Sequence, residues 1–342
     1  MVKTIGIVSL SRGILGEPFL KHELELGVRR LEAYGLNVRF GAHALSGIDF
    51  IEKHPEARAA DLLEFLCDPE IDMIMTAIGG DDTYRLLPYL FDHGELQSAV
   101  SGKIFLGFSD TTINHLMLHK AGMRSFYGQA FLPDVCELSP EMLPYTRAYF
   151  EELITTGTIR EIRPSPVWYN TRTDFSVSAL GTEMPEHGNA GFELLQGPSV
   201  FSGKILGGCI DSLYDLFDPA RYADMPALAR KYGLLPEADA WRDKLLLLES
   251  SEEKPSPEKY RAALGYLKKA GILDAVRGIL VGKPMDEADD AEYRAALRET
   301  VDDEAKPIVC NLSVGHAQPR CIIPFGPKAV VDVKAQKITF GG

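Results

Sequence analysis

The sequence predicts an α/β fold with an N-terminal domain built on a parallel sheet covered by helices, followed by a smaller C-terminal α/β domain. First, 342 residues are too many for one ordinary domain and suit two. Second, strand-like and helix-like stretches alternate along the first half. Third, the strand-like stretches are apolar on both faces, which is typical of parallel strands buried between helices. We expect an N-terminal domain at 1–163, an interdomain crossover at 164–197 and a C-terminal domain at 198–342.

The elements of the first half follow from apolar runs and from the glycines that end them. The first predicted helix ends at Gly35, and the third predicted strand runs into Gly79 and Gly80. Strands are predicted at 5–10, 36–40, 71–78 and 104–107, and helices at 18–34, 58–66, 83–90 and 111–121.

The crossover is rich in Pro, Asn, Thr and Gly and has no clear period, so we expect loops with some strands there. One helix of the second half is well signalled: Ser256 is the predicted N-cap, Pro257 takes the first helical position, and Gly271 ends the helix. Strands are predicted at 203–207, 244–248, 278–281, 307–309 and 329–333.

Composition restricts the partners. The net charge of −13 argues against a nucleic-acid backbone or an anionic membrane as the main partner. The apolar run at 5–10 is too short for a signal-peptide core, and no stretch approaches the roughly 20 apolar residues of a membrane span. The five cysteines are scattered and form no Cys-x-x-Cys pair, which favours reduced thiols in a cytoplasmic protein.

Ser109 stands at a turn from a predicted strand into a predicted helix. A serine there projects its hydroxyl above the sheet edge, and the amide of Asp110 at the helix N-terminus faces developing negative charge. The pattern matches only half of the usual Gly-x-Ser-x-Gly elbow, because Thr111 takes the last position. The structural alternative is that Ser109 or Asp110 is simply a helix N-cap.

Gly79 and Gly80 follow another apolar strand. Two glycines let the backbone approach a ligand closely, and a free amide there is a candidate second oxyanion donor. A tight turn between strand and helix is the structural alternative.

Glu249 and His316 each follow a predicted strand of the second half. A histidine base needs a carboxylate on its other nitrogen to fix its tautomer, and Glu249 is the candidate for that role. The alternatives are an ordinary strand-end carboxylate and a structural histidine. Glu252 and Glu253 lie further along a polar loop and are expected to be solvated.

Two rival chemistries are weaker. His115 and His119 share a helix face at metal-ligand spacing, but no glutamate follows His115 and no third ligand suggests itself. Neither Gly-x-Gly-x-x-Gly nor a P-loop occurs, so a dinucleotide-dependent oxidoreductase is not expected.

In order and spacing, these segments resemble the LD-carboxypeptidase family of serine peptidases, which also contains the microcin C self-immunity peptidases. The resemblance covers nearly the whole chain. It rests on Ile78-Gly-Gly, Gly107-Phe-Ser-Asp-Thr-Thr, Gly203-Lys-Ile-Leu-Gly-Gly-Cys, Leu247-Leu-Glu, Gly315-His and Pro324-Phe-Gly.

The resemblance implies Ser109 as nucleophile, Glu249 and His316 as its partners, and the amides of Gly80 and Asp110 as the oxyanion hole. It implies an acyl-enzyme mechanism, a homodimer, and no metal or organic cofactor.

The resemblance leaves two substrates open. The favoured prediction is release of the terminal D-Ala from murein tetrapeptides; the alternative is cleavage of the acyl bond of a peptidyl-nucleotide. The carboxypeptidase branch typically has Arg before the glycines and Tyr after them, where this chain has Ile78 and Asp81. The immunity branch often has a Trp-x-Trp stretch, of which Phe192 alone remains aromatic.

Arg85, Lys283 and Arg320 are candidates for binding a substrate carboxylate or phosphate, with exposed solubilising charges as the alternative. Gly79, Asp81 and Phe192 complete the predicted substrate-binding set. A further hypothesis, from another class of function, is a binding protein on the same fold that has no catalytic activity. Such a protein has no need of Ser109, Glu249 and His316 together.

Overall fold

The computed structural model describes residues 1–341, which form two compact units. The first unit comprises Met1–Thr158, Thr173–Glu183 and Ala227–Leu234, and the second comprises the rest of the described chain. The first unit ends a few residues earlier than the predicted boundary at 163, because residues 161–162 already form a strand of the second unit's sheet. The predicted crossover is divided between the two units.

The first unit is built on five parallel strands in the order β5-β4-β3-β1-β2. Strands β1, β3 and β4 are buried at every residue, as expected for parallel strands covered on both faces. The strands are β1 Thr4–Val8, β2 Asn37–Phe40, β3 Met73–Thr76, β4 Ile104–Gly107 and β5 Ser125–Tyr127. The helices are α1 Lys21–Ala33, α2 Ile48–Lys53, α3 Pro55–Cys67, α4 Leu87–Phe91, α5 Glu95–Ala99, α6 Thr112–Lys120 and α7 Pro144–Thr156.

The pairing of β3 with β4 positions the first set of candidate site residues. The two strands are parallel neighbours, so the loops that follow them leave the same edge of the sheet. Gly79 and Gly80 come from the loop after β3, and Ser109 comes from the turn after β4.

The second unit is built on a mixed sheet of eight strands in the order β6-β16-β15-β10-β11-β12-β13-β9. Its centre, β10 to β13, is parallel, and antiparallel strands flank it. The strands of this unit are β6 Glu161–Ile162, β7 Val167–Tyr169, β8 Glu186–Gly188, β9 Glu193–Gln196, β10 Val200–Cys209, β11 Lys244–Glu249, β12 Gly278–Gly282, β13 Ile308–Leu312, β14 Ile323–Phe325, β15 Lys328–Asp332 and β16 Lys337–Phe340. The helices of the second unit are α8 Ile210–Asp215, α10 Pro257–Lys269, α11 Ile272–Ala275 and α12 Asp290–Val301, whereas most of α9 Met225–Lys231 lies in the first unit.

The capped helix predicted from the sequence is α10. The Ser256 side chain accepts a hydrogen bond from the Lys259 amide at 3.3 Å, and Gly271 follows the helix with φ +75°. These contacts confirm the predicted start and stop of the helix.

Two expectations drawn from composition can be compared with the described residues. Within residues 1–341, no helix combines the length and the apolar character that crossing a membrane requires. All five cysteines are free thiols, four of them buried, whereas Cys67 is exposed.

Candidate active site

Ser109 is held in a strained backbone conformation directly after β4. Its φ is +66°, a left-handed value that side-chain-bearing residues seldom adopt, and it opens a turn of 3-10 helix, Ser109–Thr111, that leads into α6. The Ser109 amide donates to the Tyr127 hydroxyl at 3.2 Å. The local geometry is therefore the sharp strand-to-helix turn predicted from the sequence.

Gly79 lies against Ser109. A Cβ placed on Gly79 would come within 2.6 Å of the Ser109 Cβ, 2.9 Å of its Oγ and 3.0 Å of the Asp110 nitrogen. Gly80 has φ +119°, and a Cβ there would come within 2.6 Å of the Arg12 Cβ. Gly79 is thus needed for the close approach of the loop after β3 to the Ser109 turn, and Gly80 for its approach to the loop after β1 that carries Arg12. An oxyanion hole made of the Gly80 and Asp110 amides requires the first of these approaches.

The Asp110 side chain fastens this arrangement. Its Oδ2 accepts hydrogen bonds from the Ser11 hydroxyl at 2.7 Å and from the Thr83 amide at 3.0 Å. Asp110 therefore ties the turn that carries Ser109 to the loops after β1 and β3.

Glu249 and His316 form a buried hydrogen-bonded pair in the second unit. The Nδ1 of His316 lies 2.7 Å from Oε2 of Glu249, and the His316 amide donates to the same oxygen at 3.2 Å. One carboxylate oxygen thus fixes both the ring and the backbone of the histidine. This is the geometry in which a carboxylate orients an imidazole base.

Two glycines make room for this carboxylate. A Cβ on Gly315, whose φ is +94°, would lie 2.5 Å from Oε2 of Glu249. A Cβ on Gly282 would lie 2.8 Å from the Glu249 Cβ. The Gly-His motif therefore has a steric reason, because the residue before His316 must have no side chain.

Glu252 was expected to be solvated; it is exposed, but it also makes a contact with His316 that the sequence did not predict. Its Oε2 lies 2.8 Å from Nε2 of His316, although the side chain remains about half exposed. The hydrogen bond from His316 lowers the pKa of Glu252 to about 2. Burial opposes the charged imidazolium, yet Glu249 and Glu252 together outweigh it and raise the pKa of His316 to about 10.

Cys209 lies beside the same pair at the end of β10, in register with Glu249 on the neighbouring strand. Donor atoms of Cys209, Glu249 and His316 all lie within 4.8 Å of one another, a cluster of a size that suits a metal ion. Burial and the nearby Glu249 carboxylate raise the pKa of the Cys209 thiol, and the Glu249 oxygen already accepts two hydrogen bonds. These features favour a hydrogen-bonded set over a metal centre.

His115, the first residue of the alternative metal-binding pair, is a structural histidine. It is fully buried, with Nδ1 2.8 Å from the Ser125 hydroxyl and Nε2 3.0 Å from the Gly107 carbonyl oxygen. Burial lowers its pKa to about 4. Because both ring nitrogens are engaged in hydrogen bonds, the ring has no nitrogen left for a metal shared with His119.

The three candidate anion-binding cations are all engaged by protein groups. Arg85 donates to the Glu52 carbonyl at 2.7 Å and to Asp82 at 3.0 Å. Lys283 is buried and its ammonium pairs with Glu287 at 2.5 Å. The guanidinium of Arg320 is buried and donates to the carbonyls of Gly315 and His316, so it holds the loop that carries the histidine. Side chains engaged in this way are not the exposed, solubilising charges that were the alternative prediction.

The aromatic residue predicted for substrate binding is not placed for stacking. Phe192 is only 4% exposed. The Gln336 side chain accepts a hydrogen bond from the Phe192 amide and donates one to the Phe192 carbonyl. The half-buried Trp168 on β7 is more accessible: its ring stacks on His187 of β8 with centroids 4.3 Å apart, and the Lys283 Nζ lies 5.1 Å from the ring centre. Asp81, after the glycines, is half-buried.

Comparison with family models places the chain in a known family. The model of the LD-carboxypeptidase N-terminal domain matches residues 5–128, and that of the C-terminal domain matches residues 202–331. The protein belongs to the LD-carboxypeptidase family of peptidases.

Individual relatives come from both branches of this family. The microcin C7 self-immunity protein MccF of Escherichia coli is 24% identical over 82% of this chain and 77% of its own length. The murein tetrapeptide carboxypeptidase of Pseudomonas aeruginosa is 31% identical over 31% of this chain and 34% of its own. Among solved structures, an MccF-like protein from Streptococcus pneumoniae in complex with AMP is 59% identical, with a TM-score of 0.98, covering 100% of this chain and 99% of that one.

Proposed function

We propose that the protein is a serine amidohydrolase in which Ser109 is the nucleophile, His316 the base and Glu249 the carboxylate that orients the base. The observation that carries the proposal is the buried 2.7 Å contact between Glu249 and His316. The strained turn at Ser109, with Gly79 against its side chain, supports it from the other unit.

The reaction runs through an acyl-enzyme. Neutral His316 takes the Ser109 proton at Nε2 while the Ser109 oxygen forms a bond to the substrate carbonyl carbon. The amides of Gly80 and Asp110 stabilise the resulting oxyanion, and the carbon–nitrogen bond breaks as the leaving nitrogen takes the proton from His316. Water then attacks the acyl group by the same proton transfers and restores the Ser109 hydroxyl.

For the substrate, we favour an acylated nucleotide over a murein tetrapeptide, the reverse of the order that the sequence suggested. The MccF-like relative of 59% identity was solved with AMP. The half-buried Trp168 ring has the character of a stacking surface for a nucleobase, and the Lys283 Nζ beside it is paired with Glu287. The murein tetrapeptide remains the second candidate, because the Pseudomonas aeruginosa relative is named for it.

The test is hydrolysis by the purified protein of an aminoacyl sulfamoyl adenosine beside a murein tetrapeptide, with products separated by liquid chromatography. We expect release of the free amino acid and sulfamoyl adenosine, with slower or no release of D-Ala. Preferential release of D-Ala would replace the first substrate by the second. Turnover of neither compound would contradict the proposal as a whole.

A further inference from the structure

The His316 ring is held by two carboxylates, one on each nitrogen. Glu249 lies 2.7 Å from Nδ1, and Glu252 lies 2.8 Å from Nε2. An ionised carboxylate only accepts hydrogen bonds, so both ring nitrogens must carry protons for both contacts to form. In this arrangement the ring is an imidazolium, which has no lone pair with which to take a proton from a serine.

The contact of Glu252 with Nε2 can break without any change in the backbone. The loop is fixed elsewhere: the Ser251 amide donates to Asp211 at 3.2 Å, and Lys254 pairs with Asp286 at 2.8 Å. The Glu252 side chain is half exposed, and its carboxylate contacts Nε2 of His316 and its own backbone. A rotamer change, which takes picoseconds to nanoseconds in exposed side chains, therefore suffices to free Nε2.

We propose that Glu252 is a specificity-determining residue that holds Nε2 of His316 in the resting enzyme and moves to an ammonium group on the acyl part of the substrate. This inference rests on the proposed function. It adds a chemical class to the substrate: acyl groups that carry a free amine close to the bond that is cut.

The charges around the pair give the reason for an ammonium. The other ionisable groups around the pair in the second unit include Glu249 at the end of β11, Cys209 at the end of β10, Asp211 at the start of α8, Arg221 after α8, and Arg320 in the loop after β13. Asp211 is paired with Lys259 at 2.7 Å. Arg221 already pairs with Asp215 at 3.6 Å, and Arg320 is engaged by backbone carbonyls.

Once His316 loses its proton, the pair of carboxylates beside it loses the cation that they share. A carboxylate in a partly desolvated place needs a new positive partner. An ammonium on the substrate supplies that partner and, at the same time, draws Glu252 away from the base. Substrates with a neutral or anionic group at this position leave Glu252 on His316.

The first test is a measurement on the ring itself and needs no ligand. We expect Glu252→Gln to lower the pKa of His316, which is measured by NMR titration of the imidazole. Glu253→Gln, a change at the neighbouring exposed residue, is the control and should leave the pKa of His316 unchanged. The pH dependence of kcat/KM reports pKa values of the free enzyme. The rising limb of that pH profile should therefore move to lower pH in the Glu252→Gln variant. A His316 pKa that is the same in both variants would overturn the proposal.

The second test measures binding to Ser109→Ala protein by calorimetry, so that turnover plays no part. The probes are alanyl sulfamoyl adenosine and its N-acetyl derivative. We expect the free amine to bind about 10-fold to 100-fold more tightly, the value of a charge-assisted hydrogen bond. This preference should nearly disappear when Glu252→Gln is added and persist when Glu253→Gln is added.

The outcomes separate the two proposals. A preference that survives Glu252→Gln, or no preference at the start, would overturn the role of Glu252 in reading the substrate. If neither probe binds, the nucleotide substrate proposed above fails, and the NMR titration still decides whether Glu252 holds the ring.

Discussion

At Glu249 a single carboxylate oxygen accepts hydrogen bonds from both the ring and the backbone of His316. This contact occupies Nδ1, so Nε2 is the nitrogen that takes the serine proton in the proposed mechanism. The tautomer depends on it, because the Nδ1 proton is stable only while an acceptor faces it.

Replacing Glu249 by Gln should therefore impair proton transfer while leaving the shape of the site nearly unchanged. An amide that presents its NH₂ group to Nδ1 stabilises the wrong tautomer, and we expect kcat to fall by about 10³-fold to 10⁴-fold. The measurement is steady-state turnover of the aminoacyl sulfamoyl adenosine. Glu253→Gln, a change of the same kind on the exposed loop, should keep wild-type turnover; a Glu249→Gln enzyme as fast as this control would contradict the orienting role.

The sequence predicted Ser109, Glu249 and His316 as a set, because each follows a strand and because their joint spacing resembles a family. It did not predict Glu252. Polar loop composition favours solvation, and only the folded loop brings that carboxylate to Nε2. Its position three residues after Glu249, in a short loop, is the one signal available in the sequence. Likewise, Phe192 was chosen for its aromaticity, and its burial could not be known without the pairing of β9 with β13.

At the scale of elements, the loop after β3 and the turn after β4 can approach closely because Gly79 has no side chain. The nearest atom to a Cβ on Gly79 is the Ser109 Cβ at 2.6 Å, which is not the far end of a flexible chain and cannot move aside freely.

Gly79→Ala should consequently displace Ser109 or the oxyanion amides. We expect kcat to fall at least about 100-fold, the effect of losing one oxyanion donor. We also expect the free energy of unfolding to fall by about 1–3 kcal/mol from overpacking. Activity assays and urea denaturation measure the two effects. Gly102→Ala is the matched control, because a Cβ there meets no atom within 4 Å; equal behaviour of the two variants would argue against this packing.

Element prediction succeeded where apolar runs were long and ended in glycine. The strand at 104–107 matches β4, and the predicted helix at 111–121 is α6 within one residue at each end. The helix predicted at 83–90 is instead a 3-10 turn, Thr83–Leu86, followed by α4, because Pro88 has no amide hydrogen to donate and is tolerated only in the first turn of a helix. Strand β5 was missed because three residues carry too little periodicity to stand out.

For the whole molecule, alternation of strands and helices was enough to predict the parallel sheet of the first unit. The sheet of the second unit is mixed, and only its centre, β10 to β13, is parallel. The boundaries of the units were harder to predict from the sequence. Residues 173–183 and 227–234 return to the first unit after the chain has entered the second, and no change of composition marks these returns. Contacts between residues distant in sequence decide them.

The central claim is that the hydroxyl of Ser109 is the nucleophile, and the most direct measurement is the turnover of Ser109→Ala beside Ser98→Ala. Ser98 is an exposed serine on α5 whose hydroxyl bonds the Gly94 carbonyl, so its loss controls for the substitution itself. The account predicts wild-type turnover in Ser98→Ala and, in Ser109→Ala, unchanged ligand affinity with turnover reduced by about 10⁶-fold, close to the detection limit. Turnover near the wild-type rate in folded Ser109→Ala protein would contradict it.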